Sequence, residues 1–484
     1  MPFDNSYARL DEKFYQRIKP TPVKNPRIIL VNRELAEEMD FPLPETDSEL
    51  AELFSGNKLP LGAEPLALVY AGHQFGNFVP RLGDGRAVLL GEFLNTAGKR
   101  YDIQLKGSGQ TMFSRNGDGR SPIGPVIREY IVSEAMFRLG IPTTRALAMT
   151  STGEKVYREQ EFPGGIFTRV AASHIRIGSF EYFASRNDFD AVRTLADYTI
   201  NRHYPALKDS DNPYAALLEK VCSAQARLVA KWMRIGFIHG VMNTDNTTVS
   251  GETIDYGPCA FMDGYDPATV FSSIDHYGRY AYARQPSIAQ WNLAAFAGCL
   301  LTLIHEDTEL AKSRAEEIVE GFGAEFRKHY FSEMCAKIGL VPTSPAKDLL
   351  NEFLEILQKS KVDFTNSFRE LGKAVRHEHS ALLELFADRE LLQNWLEKWR
   401  GELKKQGIAP ETATKAMNSN NPAFIPRNHR VEEAINAAIE HNDFEPCKKL
   451  ITILLLPYEE QPEYAEYMNF PEPNERVYQT FCGT

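Results

Sequence analysis

The sequence predicts an α+β chain, a β-rich first part followed by an α-rich second part. Three observations carry this. Before residue 170, short stretches alternate apolar and polar residues with period two, as half-buried strands do. One segment among them changes period: Val126, Ile127, Tyr130, Ile131 and Ala135 fall on a single helical face. From about residue 188 onward helical patterns dominate, with Pro213–Ile235 the longest of the early ones.

Taken in order, residues 1–60 form a mixed extension, with prolines at 20, 22 and 26 and a short helix over Arg33–Met39. Residues 61–170 hold the strands. "GHQFGNFVPRLGDGRAVLLGEF" sets glycines around a turn and then enters a strand at Ala87–Phe93. In "RYDIQLKGSG", Tyr101, Ile103 and Leu105 share one face, and Asp102, Gln104 and Lys106 the other. The helix over Pro125–Leu139 is ended by Gly140 and Pro142. Strands follow at Thr144–Thr150 and Ile166–Val170. Residues 171–335 form a helical second lobe, and 336–484 a helical extension with Pro- and Asn-rich loops near 341–346 and 418–428. The apolar run Leu450–Leu456 reads as a buried helix.

Composition narrows the class. With 54 Lys and Arg against 65 Asp and Glu, the net charge is −11, which argues against a general nucleic-acid binder. No apolar run approaches a membrane span, and the first 20 residues lack the apolar stretch of a secretory signal. Six scattered cysteines without a C-x-x-C point to a reducing, cytoplasmic setting and no structural zinc. Cys482, third from the end, is placed as a redox handle if exposed.

The strongest motif is "HGVMNTDNTTVSGETIDYGP". His239 and Asn246 keep the spacing of a protein-kinase catalytic loop, H-R-D-x-x-x-x-N, and Asp255-Tyr256-Gly257 stands for its D-F-G. Val241 occupies the position of the catalytic Asp and accepts no proton. Asn246 and Asp255 supply hard oxygen donors for Mg2+ or Mn2+, on either side of a hairpin-like "TTVSGETI". Asp245 is the one carboxylate placed to replace the missing base; side-chain turns are the plainer role for these Asn and Asp residues. Lys106, at a strand end, followed by Glu129 on the helix, matches the kinase pairing of a strand Lys with a helix Glu. The order of elements then reads as a kinase-like bilobal fold, extended at both ends. Gly83, Gly85 and Arg86 in "LGDGR" suit a phosphate cradle or an ordinary turn. "GEFLNTAGKR" has the wrong glycine spacing for a P-loop. A second glycine loop, "SRNGDGRSPIG", precedes the helix. Arg169 and Arg176 lie seven apart, two turns on one face if helical, and suit phosphates or salt bridges alike.

Together these segments resemble the selenoprotein O family. "FDNSYARLDEKFY", "YAGHQFGNFVPRLGDGRAVLLGE", "QLKGSGQTMFSRNGDGRSPIGPVIREYIVSEAM", "TRVAASHIRIGSFEYF", "HGVMNTDN", "IDYGP" and "NPAFIPRNHRVEEAI" carry the likeness over nearly the whole chain. The resemblance implies a kinase-like fold that binds ATP reversed and transfers AMP to Ser, Thr or Tyr hydroxyls of proteins. It implies nucleotide contacts from Gly83, Gly85, Arg86, Lys106, Asp118, Gly119, Arg169, Arg176 and Asp255, with Glu129 holding Lys106. It further implies Asn246 and Asp255 as ligands of Mg2+ or Mn2+, Asp245 as proton acceptor, and redox control through Cys482, with Cys259 near the D-Y-G in sequence. Transfer of UMP, γ-phosphate transfer, and a non-catalytic ATP-binding pseudokinase use the same residues.

Overall fold

The computed structural model describes residues 3–376 and 381–481; Cys482 lies outside them. Its strands are β1 (Tyr15–Arg17), β2 (Arg27–Val31), β3 (Leu66–Leu68), β4 (Gly72–Gln74), β5 (Asn77–Val79), β6 (Ala87–Leu94), β7 (Arg100–Lys106), β8 (Ser121–Pro122), β9 (Arg145–Tyr157), β10 (Glu161–Ala171), β11 (Phe237–Ile238) and β12 (Ala260–Phe261). The helices of the first half are α1 (Arg33–Glu38), α2 (Asp47–Ser55) and α3 (Ile123–Arg138). The second half carries α4 (Ile177–Ala184), α5 (Phe189–His203), α6 (Pro213–Arg234), α7 (Gln285–Ile304) and α8 (Thr308–Lys337). It continues through α9 (Ser344–Ser360), α10 (Phe364–Leu371), α11 (Ala381–Glu384), α12 (Arg389–Lys405), α13 (Pro410–Asn420), α14 (Asn428–His441) and α15 (Glu445–Leu454).

The main sheet runs β1-β3-β6-β7-β10-β9-β2, antiparallel at each step, with β8 pairing onto β10. Period-two alternation sorts its faces. Tyr101, Ile103 and Leu105 pack with Leu35, Leu50 and Phe54 of α1 and α2 on one side. The other face meets α3, where Ile123, Ile127 and Tyr130 pack on Met149 and Phe167. In the β7–β10 register Lys106 sits opposite Phe167, and Arg169 opposite Gln104. Lys106 and Arg169 therefore share the α3 face, beside the helix that carries Glu129.

The C-terminal part returns to this half. Val431 and Ile435 of α14 and Leu450 and Ile453 of α15 close over α3. The run 450–456 is helical only to Leu454; Leu450, Ile453 and Leu454 are buried, while Thr452, Leu455 and Leu456 are exposed. In the helical half, α6 begins as its sequence dictates, with Asn212 accepting from the Ala215 N–H and Pro213 at the first helical position. It packs against α7 and α8 in the largest core cluster. The stretch Tyr282–Ile304 is long and apolar enough to cross a membrane by composition, which corrects the reading that no such run exists. Leu293, Phe296 and Leu300 are fully buried in this core, so its apolar character serves packing.

Candidate functional site

A cavity of about 600 Å³ opens between the two halves. Gly83, Gly85, Arg86, Lys106, Asp118, Gly119, Glu129, Arg169, Arg176, Asp245, Asn246 and Asp255 all line it. Residues spread over 173 positions of sequence thus converge on one space of nucleotide-binding size.

At its centre lies an ion cluster. The Lys106 ammonium donates to Glu129 Oε2 at 2.6 Å and to Asp255 Oδ1 at 2.8 Å. Arg169 reaches the same Asp255 oxygen at 2.8 Å, and Arg176 reaches Oδ2 at 2.6 Å. Burial alone would raise the Asp255 pKa, but Arg169, Lys106 and Arg176 outweigh it and hold the carboxyl well below the usual range. Asp255 adopts φ +63°, a left-handed conformation that Asp takes more readily than most residues with a side chain, at the point where the chain leaves the site loop. The two arginines do not share a helix. Arg169 sits on β10, and Arg176 is the extended residue that precedes α4, held by an isolated bridge to Thr248. They meet because a strand end and a helix start face the same carboxylate.

The loop 239–257 is held from within. His239 Nε2 lies 2.9 Å from the Ile254 carbonyl, and its ring packs against Trp232 at 5.5 Å. Burial holds its pKa down, so the neutral ring donates to that carbonyl and ties the two ends of the loop together. The "TTVSGETI" segment is not a paired hairpin: Thr248 bridges Arg176 and Thr253 bridges Thr143, while the Thr248 hydroxyl bonds the Glu252 backbone. Asn246 Nδ2 donates to the Val241 carbonyl at 3.0 Å, which leaves its amide oxygen as the atom available to a cation.

Asp245 joins the ion cluster only through its backbone carbonyl, which accepts from Arg176 at 2.7 Å. It is 7 % exposed, its Oδ2 accepts a long 3.4 Å bond from Gln74, and its Oδ1 has no hydrogen-bond partner. Burial pushes its carboxyl up to about 6, against the pull of Arg176. Gly72 makes room for it, since a Cβ there would lie 2.3 Å from Oδ1.

Around the rim, the "LGDGR" turn rests on Asp84, whose Oδ2 accepts from the Leu68 N–H and from Gln104. In the second glycine loop, Asp118 pairs with Arg158 at 2.9 Å and accepts from the Arg120 N–H. Gly119 has φ +66°, and a Cβ would lie 2.1 Å from the Gly109 backbone, so no other residue fits. Sequence reasoning missed Asp84, Gln74, Tyr70 and Arg158. Tyr70, under the Arg176 guanidinium at 4.7 Å, carries no local pattern to mark it. Gln104 was legible as the polar-face neighbour of Lys106, two residues back on the same strand.

A β-rich half and a helical half, joined at a cavity with a Lys–Glu pair on one side and an Asn–Asp pair on the other, define a protein-kinase-like fold. A family profile described as protein adenylyltransferase SelO matches residues 1–455. A protein from Maridesulfovibrio salexigens named protein nucleotidyltransferase YdiU is 77% identical over 484 residues, 100% of this chain and 98% of that one. Proteins of the same name from Rhizobium meliloti and Agrobacterium fabrum are 56% and 54% identical, each over 100% of this chain and 99% and 100% of their own. The chain belongs to the SelO family and is a nucleotidyltransferase.

Proposed function

We propose that this chain transfers AMP from ATP to the Ser, Thr or Tyr hydroxyl of a protein, releasing pyrophosphate. The observation that carries the reading is Asp245, a buried carboxylate that lines the cavity holding the Lys106–Glu129 pair and whose Oδ2 accepts only a long bond, from Gln74. The acceptor hydroxyl gives its proton to Asp245 as its oxygen bonds the α-phosphorus. The bond from that phosphorus to the α,β-bridging oxygen breaks, and its electron pair leaves with pyrophosphate. Lys106, Arg169 and Arg176 neutralise the phosphates, and the two glycine loops, with Gly83, Gly85 and Arg86 in one and Asp118 and Gly119 in the other, wall the nucleotide. The description of the family as an adenylyltransferase supports AMP as the group transferred.

Asn246 and Asp255 fit a divalent metal by donor chemistry, one amide and one carboxylate oxygen. Among the described residues no cluster of three or more His, Cys, Asp or Glu side chains is arranged for a metal. Phosphate oxygens and water would complete the shell, as Mg2+ and Mn2+ accept. Bound there, the metal would supply charge neutralisation at the phosphates and the leaving pyrophosphate.

The test uses ATP labelled at the α- or the γ-phosphate, and UTP labelled at the α-phosphate, with Mg2+ or Mn2+. Protein-bound label from α-labelled ATP alone is expected. Label from the γ position would make the chain a kinase, label from UTP a uridylyltransferase, and no label with nucleotide still bound would leave a pseudokinase.

A further inference from the structure

Beside Asp245, on the solvent side, the hairpin β4–β5 turns through Phe75 and Gly76, both with positive φ, +51° and +85°. Gly76 is ordinary there; a phenylalanine is not. The Phe75 N–H donates to Asn243 Oδ1 at 3.1 Å and to the Tyr280 hydroxyl at 3.2 Å, and its ring lies 5.0 Å from that of Tyr280. The His73 N–H donates to the Thr244 hydroxyl at 2.7 Å. The hairpin is therefore pinned onto the loop that carries Asp245, at a cost in backbone strain, and Gln74 touches Asp245 itself.

Two residues beyond Gln74, Gly76 faces the guanidinium of Arg279, whose Cζ is 3.5 Å from where a Cβ would lie. Arg279 stacks over Trp291 at 4.9 Å. Among the described residues no carboxylate pairs with it, and its Nε has no partner. Asp275, the acid on its own segment, is spent on the backbone N–H groups of Arg279 and Tyr280. An arginine that is flattened, oriented and left without an anion is a prepared receptor, because a guanidinium presents a fork of donors matched to a carboxylate. Exposed aromatic rings lie beside it: Trp291, 37 % exposed, and Phe78, 39 % exposed, both packed on the His73 ring, at 5.1 and 5.0 Å. In a chain of net charge −11 such a cation beside open aromatic surface stands out from its background.

The geometry points to this platform as the acceptor-protein site, selecting hydroxyls flanked by an acidic residue. The inference rests on the reading of Asp245 as the base. Gln74 touches Asp245 and Gly76, on the same tight turn, faces Arg279, so the acid sits within a few residues of the hydroxyl. The aromatic surface takes the apolar part of the same segment.

The experiment compares two degenerate peptide libraries with a central Ser, Thr or Tyr, one flanked by Asp and Glu, the other by Asn and Gln. Each is incubated with the full chain, α-labelled ATP and Mg2+ or Mn2+. The acidic library is expected to show a kcat/KM about tenfold higher. Arg279→Glu should abolish or invert that ratio, Arg279→Lys should keep part of it, and Trp291→Ala should lower it. The KM for ATP and the rise of the unfolding midpoint on adding ATP should match the parent in all three, which shows that they fold. Equal labelling of both libraries by the parent enzyme overturns the platform and leaves AMP transfer standing. So does a raised KM for ATP in Arg279→Glu, which would put Arg279 at the nucleotide. No label on any peptide overturns AMP transfer to such hydroxyls, and the platform with it.

Discussion

At the scale of a residue, Asp245 shows how one burial serves chemistry and costs stability. Its carboxyl is raised from the ordinary 3.8 to about 6, with burial as the main cause. A base must be ionised, so transfer should rise with pH through about 6 and flatten above it, provided Asp245 is the proton acceptor. A metal held by Asn246 and Asp255 would draw that midpoint lower, so the pH profile of kcat/KM is compared between the parent and Asp245→Asn, and a rise of the same shape in both would remove Asp245 from the role. The stability consequence has the opposite sense. The folded state holds the Asp245 proton more tightly than the unfolded chain, so the favourable contribution is complete below pH 3.8 and is lost as pH rises through 6. Asp245→Asn, neutral at every pH, should therefore be more stable than the parent at pH 8 by up to about 3 kcal/mol, while losing transfer by a factor of 10² or more. Denaturant unfolding at pH 4 and pH 8 reads the difference, which should shrink at the lower pH.

At the scale of an element, α3 connects the core to the site. One face carries Glu129 toward Lys106, and the rest is gripped by the sheet and by α14 and α15. Ile453, fully buried among these helices, should cost about 2–4 kcal/mol when replaced by Ala, measured by denaturant unfolding. Much of this half was legible locally. The period-two pattern of 101–106 put Lys106 on the correct face, and Gly140 and Pro142 marked the end of α3. What failed was long-range. Nothing near 431 or 450 says that those helices return to cover α3, because burial of an apolar face does not name its partner. Arg169 and Arg176 suited a helix by their spacing of seven, but residues 145–171 form a strand pair whose register decides the matter. Asp84 and Gln74 were invisible for a related reason, since each matters through a neighbour distant in sequence. The composition of 282–304 likewise could not tell a core helix from a membrane span; its neighbours in the packed core do.

At the scale of the whole molecule, Asp255 acts as a bolt between the halves. It leaves the helical half, pairs with Lys106 on β7 and Arg169 on β10, and pairs again with Arg176 at the start of α4. These four groups are mostly buried, so removing Asp255 leaves Arg176 without a carboxylate, and Lys106 and Arg169 with Glu129 alone, where water cannot replace it. Asp255→Ala should cost about 3–5 kcal/mol in the absence of ligand, the usual loss when one member of a buried ion pair is deleted. The same cations are those proposed to hold the nucleotide's phosphates, and a polyphosphate would then substitute for the missing carboxylate. Tripolyphosphate without metal should raise the unfolding midpoint of Asp255→Ala more than that of the parent, in which Asp255 competes for the same donors. Binding at one hundred times its Kd is worth about 2.7 kcal/mol in either chain, so the comparison must be run as a titration. An equal response in both chains would mean that the phosphates do not meet Lys106, Arg169 and Arg176, and the proposed orientation of the nucleotide would have to be abandoned.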